Sequence, residues 1–228
     1  MITKRLNLIV TCIVILAAII LLLMLLLNNK KENVQEAKTD EIVMLFNGKD
    51  LSNWEFFLRD DSVDPETVFS VEDGIIRIKG EPFGYMRTKA KYSDYILHVE
   101  WRWYPDEPTN SGVFIHGQEP DAIWLKCIEC QLQHGNAGDF ICMSGADIKE
   151  RTDKSRIVVR KMAESSEKPA GEWNTMVITC DGDIIEVVVN GVLQNRGTES
   201  NISSGFICLQ SEGKEIQFRN VYLTKLKK

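Results

Sequence analysis

The sequence predicts an all-β fold, a jelly-roll sandwich of two antiparallel sheets, preceded by one N-terminal transmembrane helix. Three observations carry this. After residue 40 apolar side chains recur with period two rather than 3.6, in runs at 41–46, 67–71, 75–79, 95–103, 112–117, 126–133, 156–162, 175–180, 183–189, 205–210 and 215–226. Turn dipeptides fall between these runs: Asp73-Gly74, Asp181-Gly182 and Asn190-Gly191 supply the positive-φ positions of tight hairpins, so 175–194 reads as an antiparallel meander. Finally, Leu6 to Leu27 is LNLIVTCIVILAAIILLLMLLL, uncharged and long enough to cross a hydrocarbon core of about 30 Å as a helix. Strands without intervening amphipathic helices argue for face-to-face sheets, not for a βαβ fold.

Residues 1–27 are therefore read as an uncleaved single-pass anchor. The apolar run is longer than a signal peptide's and ends in Leu25-Leu26-Leu27-Asn28-Asn29-Lys30, with no small-residue cleavage site. Lys4 and Arg5 precede it and Lys30 and Lys31 follow, a weak bias that favours an N-in topology and an extracytoplasmic domain, periplasmic or extracellular. Residues 28–40, NNKKENVQEAKTD, offer one sizeable aliphatic side chain, Val34, and read as a flexible tether. Residues 41–228 suffice for one compact core. With 44% hydrophobic and 26% charged residues the chain has globular composition. Beyond residue 31 it carries 23 basic against 33 acidic side chains, a balance that repels nucleic acid.

Five cysteines fall after the tether, Cys127, Cys130, Cys142, Cys180 and Cys208, an odd number that demands no disulfide framework. Cys127-x-x-Cys130 lies inside an alternating run, where residues three apart point to opposite sheet faces, so shared metal ligation is disfavoured.

Alternation also assigns faces. Tyr95, Leu97, Val99, Trp101 and Trp103 form one apolar row, while Ile128, Cys130 and Leu132 turn inward and Cys127, Glu129, Gln131 and Gln133 share the opposite face. A carboxylate flanked by amides suits hydroxyl recognition, although ordinary solvated sheet faces look the same. Asn110-Ser111-Gly112 enters the strand that ends at His116, a residue of the same parity as Gly112 and Phe114 and a lone histidine suited either to a structural place or to proton transfer. Of Trp54, Trp101, Trp103, Trp124 and Trp173, most read as core and any exposed one as a sugar platform.

An ordered series of motifs then resembles one family, the 3-keto-disaccharide hydrolase domain (3-keto-glucoside 1,2-lyase, 3-keto-2-hydroxyglucal hydratase). The series is LFNGKDLSNW at Leu45–Trp54, GYMRT at Gly84–Thr88, HVEWR at His98–Arg102, NSGVFIHG at Asn110–Gly117, IECQL at Ile128–Leu132, GNAGDF at Gly135–Phe140, EWN at Glu172–Asn174, VNG at Val189–Gly191, FICLQ at Phe206–Gln210 and QFRNV at Gln217–Val221. The resemblance covers nearly all of 41–228. It implies a concanavalin-like or laminarinase-like sandwich with a sugar cleft on one sheet, built from Asn110, Ser111, Gly112, Glu129, Gln131 and Gln210. His116 stands where many members have arginine, and His134 where many have aspartate.

The implied activity is cleavage of 3-keto-glycosides, by net hydrolysis or by elimination and hydration. A direct glycosidase needs two carboxyls, and the Glu129 strand offers one unless Glu100 or Asp139 supplies the partner. A 3-ketone acidifies the C2 proton, so one base is enough. The expected roles are Glu129 as base, His116 or His134 as the acid protonating the leaving group, or these two roles exchanged between Glu129 and a histidine, with Arg87 or amides holding the enediolate oxygen. Gln133 completes the expected substrate-binding set. No cofactor is predicted, and a divalent cation on the ketone is not predicted either. The expected partners are an oxidised saccharide, the membrane through the N-terminal helix, and an oxidoreductase that generates the keto sugar. The alternative is a noncatalytic carbohydrate-binding module of the same fold, and a distant third is a surface spacer.

Overall fold

The structure, a computed structural model, describes residues 41–105 and 107–227. The predicted anchor (1–27) and tether (28–40) lie outside the described residues. Among the described residues no helix is long and apolar enough to cross a membrane, and a 3₁₀ turn at Pro65–Thr67 is the one helical element.

Two antiparallel sheets make up the domain. The larger runs β13 (Val192–Gly197), β12 (Ile184–Val189), β11 (Asn174–Asp181), β6 (Tyr95–Trp103), β15 (Ile216–Lys225), β4 (Ile75–Ile78) and β3 (Phe69–Glu72), with β1 (Ile42–Met44) also pairing β15. The smaller runs β10 (Val158–Val159), β9 (Phe140–Met143), β8 (Cys127–Gln131), β7 (Gly112–Gly117), β14 (Phe206–Ser211), β5 (Gly84–Thr88) and β2 (Trp54–Leu58). Because the chain crosses repeatedly between sheets, β7 and β14 lie side by side although about ninety residues separate them.

The core fills the space between the layers. From β6 come Leu97, Val99 and Trp101, from β11 Met176 and Ile178, and from the facing sheet Ile128, Cys130, Ile207 and Leu209, all fully buried. Each such aliphatic or aromatic side chain contributes about 1.5–3 kcal/mol through removal from water. The alternation of β6 and β8 places its residues on the expected faces: Cys127 lies in a different cluster from Cys130. All five cysteines of the domain are free and buried. The meander β11–β12–β13 forms as expected, with Asn190 (φ 47°) and Gly191 (φ 84°) both in the left-handed region that its second hairpin requires.

Alternation does not mark β2, β5, β9 or β13. Strand β9, FICM, is apolar throughout, and a short strand covered on both faces has no period to read. Strand β13 buries Gln194 and Asn195 and is opposed by a register shift at Val187/Val188, so its polar residues point where an apolar row is looked for.

Candidate active site

The outer face of the smaller sheet divides into two halves. Over one half, Tyr85, Phe114, Leu125, Cys127, Phe206 and Cys208 form a second apolar cluster, which Met143 joins from the cleft side. The segment that includes Asp121, Ala122 and Leu125 closes it, with the Tyr85 hydroxyl donating to Asp121 at 2.9 Å. Over the other half lies an open cleft of about 440 Å³, lined by Asn110, Glu129, Gln131, Gln210 and Glu212 on one flank, by Ile141, Met143, Ile157 and Val158 on the other, and by Trp124, whose ring meets Phe83 edge-on just before β5.

Glu129 projects from β8 into this cleft, only 4% exposed, and its Oε1 has no hydrogen-bond partner. Gly112 on neighbouring β7 makes that placement feasible: a Cβ there would sit 2.1 Å from Glu129 Oε1. The glycine is thus required by a close side-chain approach. Burial, followed by repulsion from Glu212, holds the Glu129 carboxyl well above the usual range. Glu212 follows β14 by one residue. Burial raises its pKa too, but amide N–H groups of Asn110 and Gln210 donate to it and oppose the rise, as does the charge of Arg59. Ser111 fixes the entry to β7 by donating to the Gln210 carbonyl at 2.8 Å. The Gln131 side-chain Oε1 accepts from the backbone N–H groups of Leu132 and Gln133 at 2.9 and 2.8 Å, which leaves its Nε2 as the end free for the cleft.

Several predicted site residues lie elsewhere. His116 is fully buried between the sheets, its ring edge-on to Tyr95 and its Nδ1 3.2 Å from the Ile202 carbonyl. The cause is local: His116 takes φ 54°, and the β7–β14 register shifts between Phe206 and Cys208, so strand parity breaks one residue before the end. His134 is half exposed beyond β8, 3.5 Å from Glu167, and is not among the cleft-lining residues. Arg87 pairs with Glu55 at 2.7 Å and Asp121 at 3.2 Å and lies over the Phe206 ring, which clamps the closing segment over the apolar half. Glu100 is on β6 of the other sheet, bonded to Arg219 and Asn220. Asp139 is buried and satisfied by Arg160 and the Lys161 backbone, 2.7 and 2.8 Å away. Gln133 is an exposed turn residue accepting from Asn136. The second carboxyl of the site is Glu212, which strand alternation continued past Ser211 would have found: 208, 210 and 212 share parity. Among the tryptophans Trp124 alone lines the cleft, 51% exposed, whereas Trp54, Trp101 and Trp103 are core and Trp173 stacks under Arg102 and Arg219. Among the described residues no three His, Cys, Asp or Glu side chains are placed to share a metal ion.

A sandwich of this topology with paired carboxyls in an open cleft is of the glycosyl hydrolase-like, carbohydrate-active class. Over residues 41–224 the chain matches the 3-keto-alpha-glucoside-1,2-lyase-like domain, and it belongs to that family. None of the curated proteins matches it. In fold it is similar to a candidate glycosyl hydrolase from Parabacteroides distasonis, with TM-score 0.62, 22% identity, and coverage of 82% of this chain and 94% of that one. It is also similar to a β-glucanase from Bacillus licheniformis (TM-score 0.55, 11% identity, covering 82% and 98%). A carbohydrate binding module from Bacillus subtilis shares the fold at TM-score 0.55 and 10% identity, covering 74% and 93%.

Proposed function

We propose that the protein cleaves 3-keto-glycosides by elimination across C1–C2 followed by hydration, with Glu129 and Glu212 as the acid–base pair. The observation that carries this reading is a pair of desolvated carboxyls in one cleft with unequal surroundings. Asn110 and Gln210 donate to Glu212, whereas Glu129 Oε1 has no donor. Glu212 therefore gives up its proton before Glu129, whose carboxyl is held well above the usual carboxylate range by burial and the Glu212 charge.

In the forward step Glu212 takes the C2 proton that the neighbouring ketone acidifies. The electron pair passes into the ring as a C1=C2 bond while the C1–O bond breaks, and Glu129 delivers its proton to the leaving oxygen. The Gln131 amide is a suitable donor to oxygen charge developing on the way. For hydration the roles reverse: Glu129 takes a proton from water as its oxygen adds to C1, and Glu212 returns its proton to C2. Each carboxyl ends as it began. An oxidoreductase would supply the ketone, and an anchor at 6–27 would hold the domain on the extracytoplasmic side.

The test incubates the protein with a 3-keto-glucoside and with the parent glucoside. Consumption of the keto sugar alone is expected, with Glu129→Gln and Glu212→Gln each slower by about 10²–10⁴-fold. Turnover of the parent instead would make the pair an ordinary two-carboxyl glycosidase site. Binding of both sugars without turnover would favour the noncatalytic module, a reading that the likeness to the Bacillus subtilis binding module keeps in view.

A further inference from the structure

We infer that the cleft takes glycosides whose leaving group is an apolar alcohol rather than a second sugar, an inference that rests on the acid–base reading of Glu129 and Glu212. It follows from strand order. The polar cleft residues sit on β8 and at the ends of β7 and β14, whereas Ile141, Met143 and Val158 sit on β9 and β10, the two strands beyond. In register Glu129 is opposite Ile141, and Ile141 is opposite Val158. With strands about 4.8 Å apart, an apolar shelf extends on the order of 10 Å from the acid, the reach of one six-membered ring and its linking atom.

The hydroxyl-rich keto ring belongs over Asn110, Gln131 and Gln210, and the group leaving from C1 then lies on the shelf. Ile157 closes its rim, 50% exposed, apolar surface that such a group would cover. Ser144 is the single hydroxyl side chain on that flank, and it already donates to the Trp124 carbonyl. A sugar there would give up water at several hydroxyls and find among these side chains only the Ser144 oxygen as an acceptor and no free donor.

The experiment compares kcat/KM for benzyl, methyl and glucosyl 3-keto-glucosides of matched anomeric configuration. Benzyl alcohol is no more acidic than a sugar hydroxyl, so leaving-group chemistry does not favour the expected order. Benzyl should exceed both others by at least tenfold. Ile157→Asn and the near-isosteric Val158→Thr should each lower the benzyl-to-glucosyl ratio by about fivefold. A glucosyl substrate equal to or better than benzyl, or a ratio that neither substitution moves, overturns the inference and leaves the acid–base reading standing. Absence of turnover on all three overturns that reading, and the inference with it.

Discussion

A carboxylate at position 129 loses its hydration on folding and gains no donor at Oε1, so the folded state favours the protonated form. Burial and then the Glu212 charge raise its pKa above the ordinary 4.5. With a raised folded pKa, the associated stability is fully present below the unfolded value and is lost as pH rises through the folded one. Glu129→Gln keeps the shape and removes the titration. The variant should match the parent in urea unfolding near pH 4 and be more stable at pH 8, while turnover falls. Lower stability of the variant at pH 8 would mean that the ionised carboxyl is well solvated or paired. Glu212 pulls the same way with less force, because Asn110 and Gln210 donate to its charged form. Such a cost in stability is common where side chains are arranged for chemistry rather than for packing.

At the scale of the strand, β7, β8 and the end of β14 share the proposed site, and Gly112 is the position where β7 and β8 depend on each other most. An added methyl would meet Glu129 Oε1 at 2.1 Å and its Cγ and Cδ at 2.7 Å, so the carboxyl must swing away. Gly112→Ala should cost about 1–3 kcal/mol in stability, and about 10²-fold in turnover through misplacement of Glu129, the proposed acid. Measuring kcat beside the urea midpoint checks both, and undiminished kcat would show that the carboxyl has another productive position. The strand scale also explains what the sequence makes legible. Glu129 and Gln131 are legible because β8 alternates into the cleft, and Gln210 because FICLQ on β14 resembles the family's strand. His116 could not be placed, since a one-residue bulge at the end of β7 turns it inward and periodicity carries no sign of a bulge. Arg87 and Glu100 lie outside the cleft for a different reason: motif likeness identifies strands, but not that a neighbouring segment covers the Arg87 stretch of the smaller sheet, nor that Glu100 belongs to the larger sheet.

For the whole molecule, two layers made of short strands are legible from period two and turn chemistry, whereas their lateral order depends on contacts such as β7 with β14 that no local pattern encodes. One side chain joins the layers in a way that global unfolding can report. His116 belongs to the smaller sheet, meets Tyr95 of the larger one at 5.9 Å between ring centres, and bonds the Ile202 carbonyl, with its Nε2 unpartnered. Burial drives its pKa down from 6.5 to about 4, against the raising effects of the Ile202 bond and the Asp94 charge. Here the folded pKa is depressed, so the neutral ring contributes stability that is present above pH 6.5 and lost as pH falls towards 4. The gap corresponds to roughly 3 kcal/mol for the whole sandwich. His116→Asn retains a donor for Ile202 and tolerates the left-handed backbone. It should be less stable than the parent at pH 7, through lost packing on Tyr95, yet the difference should shrink or reverse by pH 4. Because Glu129 titrates in both proteins, subtracting the two stability curves isolates the histidine. A difference that stays constant from pH 7 to pH 4 would mean that the ring accepts its proton in place, with solvent or a carboxylate reaching between the sheets.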